Sequence, residues 1–463
     1  MIIRTLGEIA RIVSGTVVNG SPSIVVKGVS KDTRTIEQGN LYVPIIGMRF
    51  DGHSFAGEAF RLGASASFWQ RDHEGAPEGV PLVLVDDALE ALQQLAAAYR
   101  QQLPVKIVGV TGSNGKTTTK DMISSVLSVK YRVHKTEGNL NTDIGLPLTI
   151  LQMDEQTEYA VLEMGMRGFG EIELLTKIAR PDAAVITMIG EAHLERLGSR
   201  EGIARAKLEI LSGLREDGLF VYNGDEPLLE QFLPNTAKPA GMRTIRFGWQ
   251  DGNDLVPEQV RVETGGTRFL VKSEPGIELN IPIPGRHNVL NALAAMAIGK
   301  HFGLSAEEIA SGLHAVRSSG MRIELEKAPS GLTIINDAYN ASPSSTRAAI
   351  QLLAELEGYR NKIAILGDML ELGEREAEYH RQIGKLLQPE KIGYLFAYGP
   401  LSKHTAEAAA ETYPPGRVFW FADKEQLAAA AANVAGPQDA VLVKGSRGMS
   451  LEEVVDRLKR HSR

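Results

Sequence analysis

The sequence predicts an α/β protein of three domains, and three observations predict it. Its 463 residues suffice for about three domains of roughly 150 residues each. From residue 105 onward, short apolar runs alternate with helix-period segments, the signature of buried parallel strands joined by crossover helices. Between residues 260 and 283 that pattern gives way to apolar residues alternating with mostly polar ones, as in half-exposed antiparallel strands.

Residues 1–86 read as a small mixed α/β domain, with apolar runs at 24–26, 41–45 and 82–85 separated by glycine-rich turns. A helix follows, with Leu89, Leu92, Ala96 and Tyr99 on one face, capped by Asp86 or Asp87 and ended by Pro104. Residues 87–317 form the central domain, with predicted strands at 105–110, 159–162, 183–189 and 219–222. The alternating stretch from Val260 to Ile283 turns at Gly265-Gly266 and reads as an antiparallel meander on the same domain, before a small-residue helix over 288–298. Residues 318–463 carry a second α/β series, with strands at 333–336, 362–366, 394–398, 418–421 and 440–443 and an alanine-rich helix over 427–434. Neither an internal repeat nor a low-complexity tract interrupts this order.

Composition narrows the function classes. A net charge of -7 gives no electrostatic case for nucleic-acid or membrane binding, so acidic ligands must be held by local basic and backbone groups. The absence of cysteine removes disulfides, thiolate metal sites and cysteine nucleophiles, and fits a reducing compartment. Arg4, Glu8 and Arg11 break the first apolar run, which lacks the form of a signal peptide. Apolar stretches fall short of the ~20 residues that span a bilayer. The expectation is a cytoplasmic protein without membrane insertion; with no exposed heptad pattern, a monomer is expected.

The strongest local signal is Thr111-Gly112-Ser113-Asn114-Gly115-Lys116-Thr117-Thr118, between a predicted strand and a predicted helix. Glycines let backbone N–H groups curl round phosphate oxygens, and the helix N-terminus adds favourable partial charge. Lys116 reaches the terminal phosphates, and a threonine hydroxyl can ligate Mg²⁺. Val110 stands where the usual phosphate loop has its first glycine, so the match is to a shortened Gly-x-x-Gly-Lys-Thr form. The plain alternative is a glycine-rich turn before a helix. Strand–loop–helix context favours nucleotide binding, without separating kinase, GTPase, motor and ligase.

Other candidates are weaker alone. Glu163 ends a predicted strand beside the phosphate-loop strand, well placed for Mg²⁺, although a solvated strand-end acid reads the same way. His193 follows another strand end, on the same edge of the inferred sheet. Lys207 looks like an ordinary helix lysine. Asn139, Asn141 and Thr142 sit in a polar loop able to read sugar hydroxyls or phosphates, or merely to form turns and caps.

Taken in order, TGSNGKTTTK, GNLNTDIGLPLT, EMGMRGFGEI, GEAHLE, RAKLEI, GRHNVLNALAA, GMRIE and NDAYNASPSS resemble the landmarks of the Mur ligase family. The resemblance spans nearly the whole chain, from Ser30-Lys31-Asp32-Thr33-Arg34 and Gly47–Gly52 to Lys444-Gly445-Ser446-Arg447-Gly448. Each motif is weak singly; the ordered set is specific. It implies an ATPase-type central domain and a Rossmann-like C-terminal domain. The segments 336–345 and 366–373 resemble the branch that attaches D-alanyl-D-alanine to UDP-N-acetylmuramoyl-tripeptide. The Asp-Asn-Pro-Arg segment often found in the branch that adds the third amino acid is absent.

The resemblance also implies roles. Gly112 to Thr118 would hold ATP, with Lys116 and Thr117 at the phosphates and Mg²⁺, Asn291 toward adenine, Arg322 at the γ-phosphate and Asp337 at the ribose. Glu163 and His193 would serve a second metal position. Lys207 matches a family lysine that can carry a CO₂-derived carbamate, which turns a cation into an anionic metal ligand. Ser30, Asp32, Thr33 and Arg34 would face the UDP end of the precursor, and Asn340, Ala341 and Ser342 the incoming dipeptide. The implied reaction proceeds through an acyl phosphate and needs water excluded, hence closure of the C-terminal domain about a hinge near residues 318–320. The rivals are another amide ligase of the family and a non-catalytic P-loop regulator.

Overall fold

The computed structural model of the chain describes residues 1–317 and 320–460; Ser318 and Ser319, where the hinge is expected, lie outside the described residues. At the N-terminus, Ile3–Thr5 pairs antiparallel with Val25–Lys27. A five-stranded sheet follows in the order Thr16–Val18, Leu82–Val85, Ala66–Gln70, Leu41–Tyr42, Val29–Ser30. The first helix, Leu6–Ile12, starts with a capping box in which Thr5 and Glu8 satisfy each other's backbone N–H groups.

The helix Ala88–Gln102 is capped by Asp87, whose side chain accepts from the Glu90 N–H. Its buried stripe runs through Ala88, Ala91, Leu92, Leu95, Ala96 and Tyr99, while Leu89, expected on that face, is only half-buried. The helix bonds to the central unit: Tyr99 Oη donates to the Met153 carbonyl and Arg100 Nε to that of Ala179, both at 2.8 Å. One continuous core joins it to the N-terminal strands and to one face of the central sheet.

The central sheet has six parallel strands in the order Arg243–Phe247, Leu219–Asn223, Ala183–Ile186, Lys106–Thr111, Tyr159–Glu163, Val133–Lys135. Its four inner strands are mainly apolar and buried because both faces are covered. Along Lys106–Thr111, Ile107 packs into one core while Val108 and Val110 pack into the other. Each such side chain contributes about 1.5–3 kcal/mol on full burial. The edge strands Val133–Lys135 and Arg243–Phe247 escape sequence reading because their polar residues interrupt the apolar run. The strand Ala183–Ile186 stops three residues short of the predicted end, where Thr187 to Ile189 turn into the site. The meander is three antiparallel strands, Pro257–Glu263, Gly266–Val271 and Glu274–Ile281, with irregular register in both pairings.

The last sheet also has six strands, in the order Glu324–Lys327, Thr333–Asp337, Ala440–Lys444, Lys362–Gly367, Tyr394–Tyr398, Val418–Phe421. Only the polar edge strand Glu324–Lys327 is antiparallel, and the sequence reading does not contain it. Helices cover both faces. No described helix is long and apolar enough to cross a membrane.

In the central sheet, the chain runs outward from Lys106–Thr111 to one side and then to the other. The crevice at the carboxyl end of this strand is therefore a topological switch point, where open α/β sheets bind ligands.

Candidate functional site

The phosphate-loop sequence occupies that crevice. Thr111 ends the strand, and Gly115, at φ 80°, is the N-cap of the helix Lys116–Ser128. Gly112 has φ 151°, and a Cβ there would stand 1.8 Å from Thr187 Oγ1. At Gly115 a Cβ would come within 2.7 Å of Asn291 Oδ1. Both positions therefore require glycine on conformation and on space. Ser113 N donates to the Met188 carbonyl at 2.9 Å, whereas the buried Ser113 Oγ has no partner. An orphaned hydroxyl beside a helix N-terminus suits an anionic oxygen.

Lys116 folds back on its own loop, with Nζ donating to the Gly112 carbonyl at 2.8 Å. Burial, with Arg322 opposing the attraction of Glu163, holds its amine below the usual lysine range. Thr117 Oγ1 donates to Glu163 Oε2 and Asn141 Nδ2 to Glu163 Oε1, each at 2.8 Å. Glu163 is thus a buried carboxylate held by two neutral donors, with the Lys116 charge near enough to attract it but no ion pair within 4 Å among the described residues. An unpaired buried carboxylate next to a threonine hydroxyl is a donor set that fits a hard divalent cation.

A cavity of about 870 Å³ opens over these groups. Ser113, Asn114, Gly115, Lys116, Thr118, Glu163, His193 and Lys207 line it, together with Asn139, Asn141, Thr142 and Asn291. Thr142 also closes a local turn, accepting from the Gly145 N–H at 3.3 Å. Asn291 accepts from Thr119 Oγ1 at 3.1 Å, tying its helix to that of the phosphate loop. Lys207, 2 % exposed, has no ion pair among the described residues. Burial, and Lys116 beside it, hold its amine well below the ordinary range.

The C-terminal unit supplies the opposite wall through Arg322, Asp337, Asn340, Ser344, Ser345 and Lys444. Arg322 stacks over the Tyr339 ring, 4.2 Å from its centroid. Burial raises the Asp337 carboxyl even though Lys444 Nζ is 2.6 Å away. Lys444 also donates to the Asn340 carbonyl at 2.9 Å. His287, on the central unit, faces the same cavity, and burial and Lys444 push its imidazole down to about 4.

Hydrogen bonds between described residues of the two units hold them together, among them one from the Ser344 N–H to Glu191 Oε2 at 3.2 Å. Asn114 Nδ2 donates to Ser342 Oγ at 3.1 Å and to Ser344 Oγ at 2.8 Å. His193 Nδ1 lies 2.7 Å from Glu371 Oε2, and the Glu195 N–H donates to the Glu371 carbonyl at 3.3 Å. His193 and Glu371 both adopt left-handed backbone, at φ 64° and 63°, a strain of about 1–3 kcal/mol each for such residues. Burial and Lys116 lower the His193 imidazole, against the pull of Glu371.

Some expected residues sit elsewhere. Ala341 is 5 % exposed and packs in the core, and Ser342 caps the helix Pro343–Glu355, because the chain must turn from strand to helix there. From that segment, Asn340, Ser344 and Ser345 face the cavity instead. Ser30, Asp32, Thr33 and Arg34 are not among its lining residues and belong to the N-terminal unit. Ser30 Oγ is engaged with Thr35 Oγ1 at 2.8 Å, and Asp32 pairs with the exposed Arg34. Sequence reasoning missed His287, Lys444 and Glu371. Their signal lay in the motifs GRHN, KGSRG and ELG, but nothing in spacing says that three distant segments converge.

A phosphate-type loop at a sheet switch point, closed by a second α/β unit that brings its own arginine, acid and lysine, defines a nucleotide-using α/β protein with a site between units. Residues 25–100 match the Mur ligase family catalytic domain, 110–299 the Mur ligase middle domain, and 321–447 the Mur ligase glutamate ligase domain. The chain belongs to the Mur ligase family. It is 52% identical over 458 residues, 98% of each chain, to the UDP-N-acetylmuramoyl-tripeptide--D-alanyl-D-alanine ligase of Bacillus subtilis (strain 168). Among solved structures it resembles MurF from Acinetobacter baumannii, with TM-score 0.89, 28% identity and 99% of both chains covered. It also resembles the MurF ligase of Thermotoga maritima in complex with ADP, with TM-score 0.82, 30% identity, and 94% of this chain and 98% of that one covered.

Proposed function

We propose that this chain is an ATP-dependent ligase that adds D-alanyl-D-alanine to UDP-N-acetylmuramoyl-tripeptide in the cytoplasm, releasing ADP and phosphate. The observation that carries this reading is the convergence of Lys116, Glu163 and Lys207 with Arg322 and Asp337 on one cavity. The near full-length similarity to a ligase of that name supports it.

In this reading ATP is a substrate held by Gly112 to Thr118, with Asn291 toward the base and Asp337 toward the ribose. Residues 1–86 take the UDP end of the precursor through Ser30 and Asp32–Arg34, residues 87–317 take ATP, and residues 318–463 take the dipeptide. Asn340 would meet the dipeptide directly, and Ala341 and Ser342 would shape the turn that presents it. Asn139, Asn141 and Thr142 would orient the tripeptide.

The tripeptide carboxylate attacks the γ-phosphorus, forming a C–O–P bond as the bond to ADP breaks. Lys116 and Arg322 offset the repulsion between carboxylate and triphosphate and stabilise the charge that spreads in the transition state. The neutral dipeptide amine then attacks the acyl carbon, phosphate departs, and the amine gives up a proton. Thr117, Glu163 and His193 would hold Mg²⁺, together with Lys207 once carbamylated. The ion supplies charge neutralisation at the phosphoryl oxygens. Burial and Lys116 lower the Lys207 amine, which favours the neutral form that CO₂ addition requires. Closure of the C-terminal unit over the bound substrates would exclude water, which would otherwise hydrolyse the acyl phosphate.

Mass spectrometry of the nucleotide product tests the reading. A gain of one D-alanyl-D-alanine on the tripeptide precursor is expected. Addition of a single amino acid to the dipeptide precursor would assign the chain to another ligase branch.

A further inference from the structure

Outside the ATP cavity, the N-terminal unit holds three ligating side chains on two turns. Asp51 Oδ1 is 2.7 Å from His53 Nδ1, and Asp51 Oδ2 is 2.7 Å from His73 Nε2. The three potential ligand atoms lie within 4.8 Å of one another. The two imidazoles stack at 3.9 Å, and Trp69 stands edge-on to both.

His73 Nδ1 is 2.7 Å from the Glu74 carbonyl, which only accepts, so Nδ1 carries a proton. His73 Nε2 faces a carboxylate, which also only accepts when ionised. A neutral His73 would therefore point a lone pair at a lone pair. A positive centre must stand at Nε2, either a proton or a metal ion. His53 differs: its side chain is fully buried, Nδ1 meets Asp51, and Nε2 has no partner. Such a ring carries one proton and is neutral, the form of imidazole that binds metals.

We propose that Asp51, His53 and His73 form a binding site for a divalent transition metal of the Zn²⁺ class. Two imidazoles and one carboxylate suit Zn²⁺, Co²⁺ or Ni²⁺, whereas Mg²⁺ and Ca²⁺ prefer all-oxygen sets. The carbonyl of Glu74 fixes the His73 tautomer in the way outer partners of ligating histidines do. Backbone groups hold the ligands ready: the His53 N–H donates to Asp51 Oδ1 at 2.9 Å, and Trp69 Nε1 donates to the His73 carbonyl at 2.9 Å. Asp51 and His73 are partly exposed, at 40% and 29% of their side chains, so the ion has an entry path and room for water at an open position.

The proton balance is definite. Binding displaces the Nε2 proton of an imidazolium His73 to solvent, while the His53 proton moves from Nδ1 to Nε2. One proton is released per ion.

Calorimetry on the full chain, stripped of metal and titrated with Zn²⁺ without ATP, tests the site. Two buffers of different ionisation enthalpy report proton release. Because Glu163 and His193 could also take Zn²⁺, the informative quantity is the difference from His73→Gln. The wild type should bind one ion more, releasing about one proton with it. The variant should lose more than the roughly 10–100-fold that removal of an outer-shell partner costs. Ring resonances of His53 and His73 should shift on Zn²⁺ addition in the wild type and not with excess Mg²⁺. Equal stoichiometry in both proteins, or unmoved His53 and His73 resonances, would mean that the cation at His73 is a proton only and would overturn the proposal.

Discussion

At Lys207, stability and chemistry pull in opposite directions. Its folded-state amine titrates well below the unfolded value of 10.5 because it is buried beside Lys116. The unfolded chain thus binds a proton that the folded chain does not, and the cost to stability grows as pH falls from about 10.5 toward the folded value. Lys207→Met should therefore melt a few degrees higher than the wild type at pH 7 while losing ligation, read by calorimetry and phosphate release. A variant that melts lower would show that the lysine is not a strained passenger of the core. Asp32 titrates the other way. Hydrogen bonds from the Arg34 side chain and backbone hold its carboxyl at about 2 against an ordinary 3.8. Its contribution is complete above about pH 4 and is lost as pH falls through 2. Asp32→Asn should flatten that part of the acid melting profile. Lys207 also marks the limit of sequence reading at this scale: a helix lysine looks solvated until the fold buries it.

Among the elements, the loop-to-helix turn at Gly112–Lys116 and the cap of the helix Pro343–Glu355 carry the site. Gly115→Ala meets both a φ of 80° and the Asn291 amide at 2.7 Å. A loss of about 1–3 kcal/mol is expected, with loss of nucleotide binding, measured by denaturant melts and analogue titration. Ser342 accepts from the Ser345 N–H and also bonds Asn114 across the interface. Ser342→Ala should cost about 1 kcal/mol as a cap and weaken closure besides. Elements with local rules were legible in the sequence: glycine before Gly-Lys-Thr, mainly apolar inner strands, the alternating meander. The edge strands Val133–Lys135, Arg243–Phe247 and Glu324–Lys327 were not, because edge position permits polar residues and erases the period. The burial of Ala341 was not legible for a related reason, since a turn between strand and helix hides which side chain faces inward.

For the molecule as a whole, the site exists only where two α/β units meet. His193–Glu371 and Asn114–Ser344 bridge them, so Glu371→Ala should favour a more open arrangement. Small-angle scattering should show a larger radius for that variant, and compaction of the wild type with ATP analogue plus precursor. Identical profiles would argue against closure as part of the cycle. The most direct measurement of the central claim is phosphate release from ATP with UDP-N-acetylmuramoyl-tripeptide present, with and without D-alanyl-D-alanine, in the wild type and Lys116→Ala. Release that depends on the dipeptide, and falls about 100–1,000-fold in the variant, is the predicted result. ATP consumption indifferent to the dipeptide, or supported instead by a single amino acid, would contradict it.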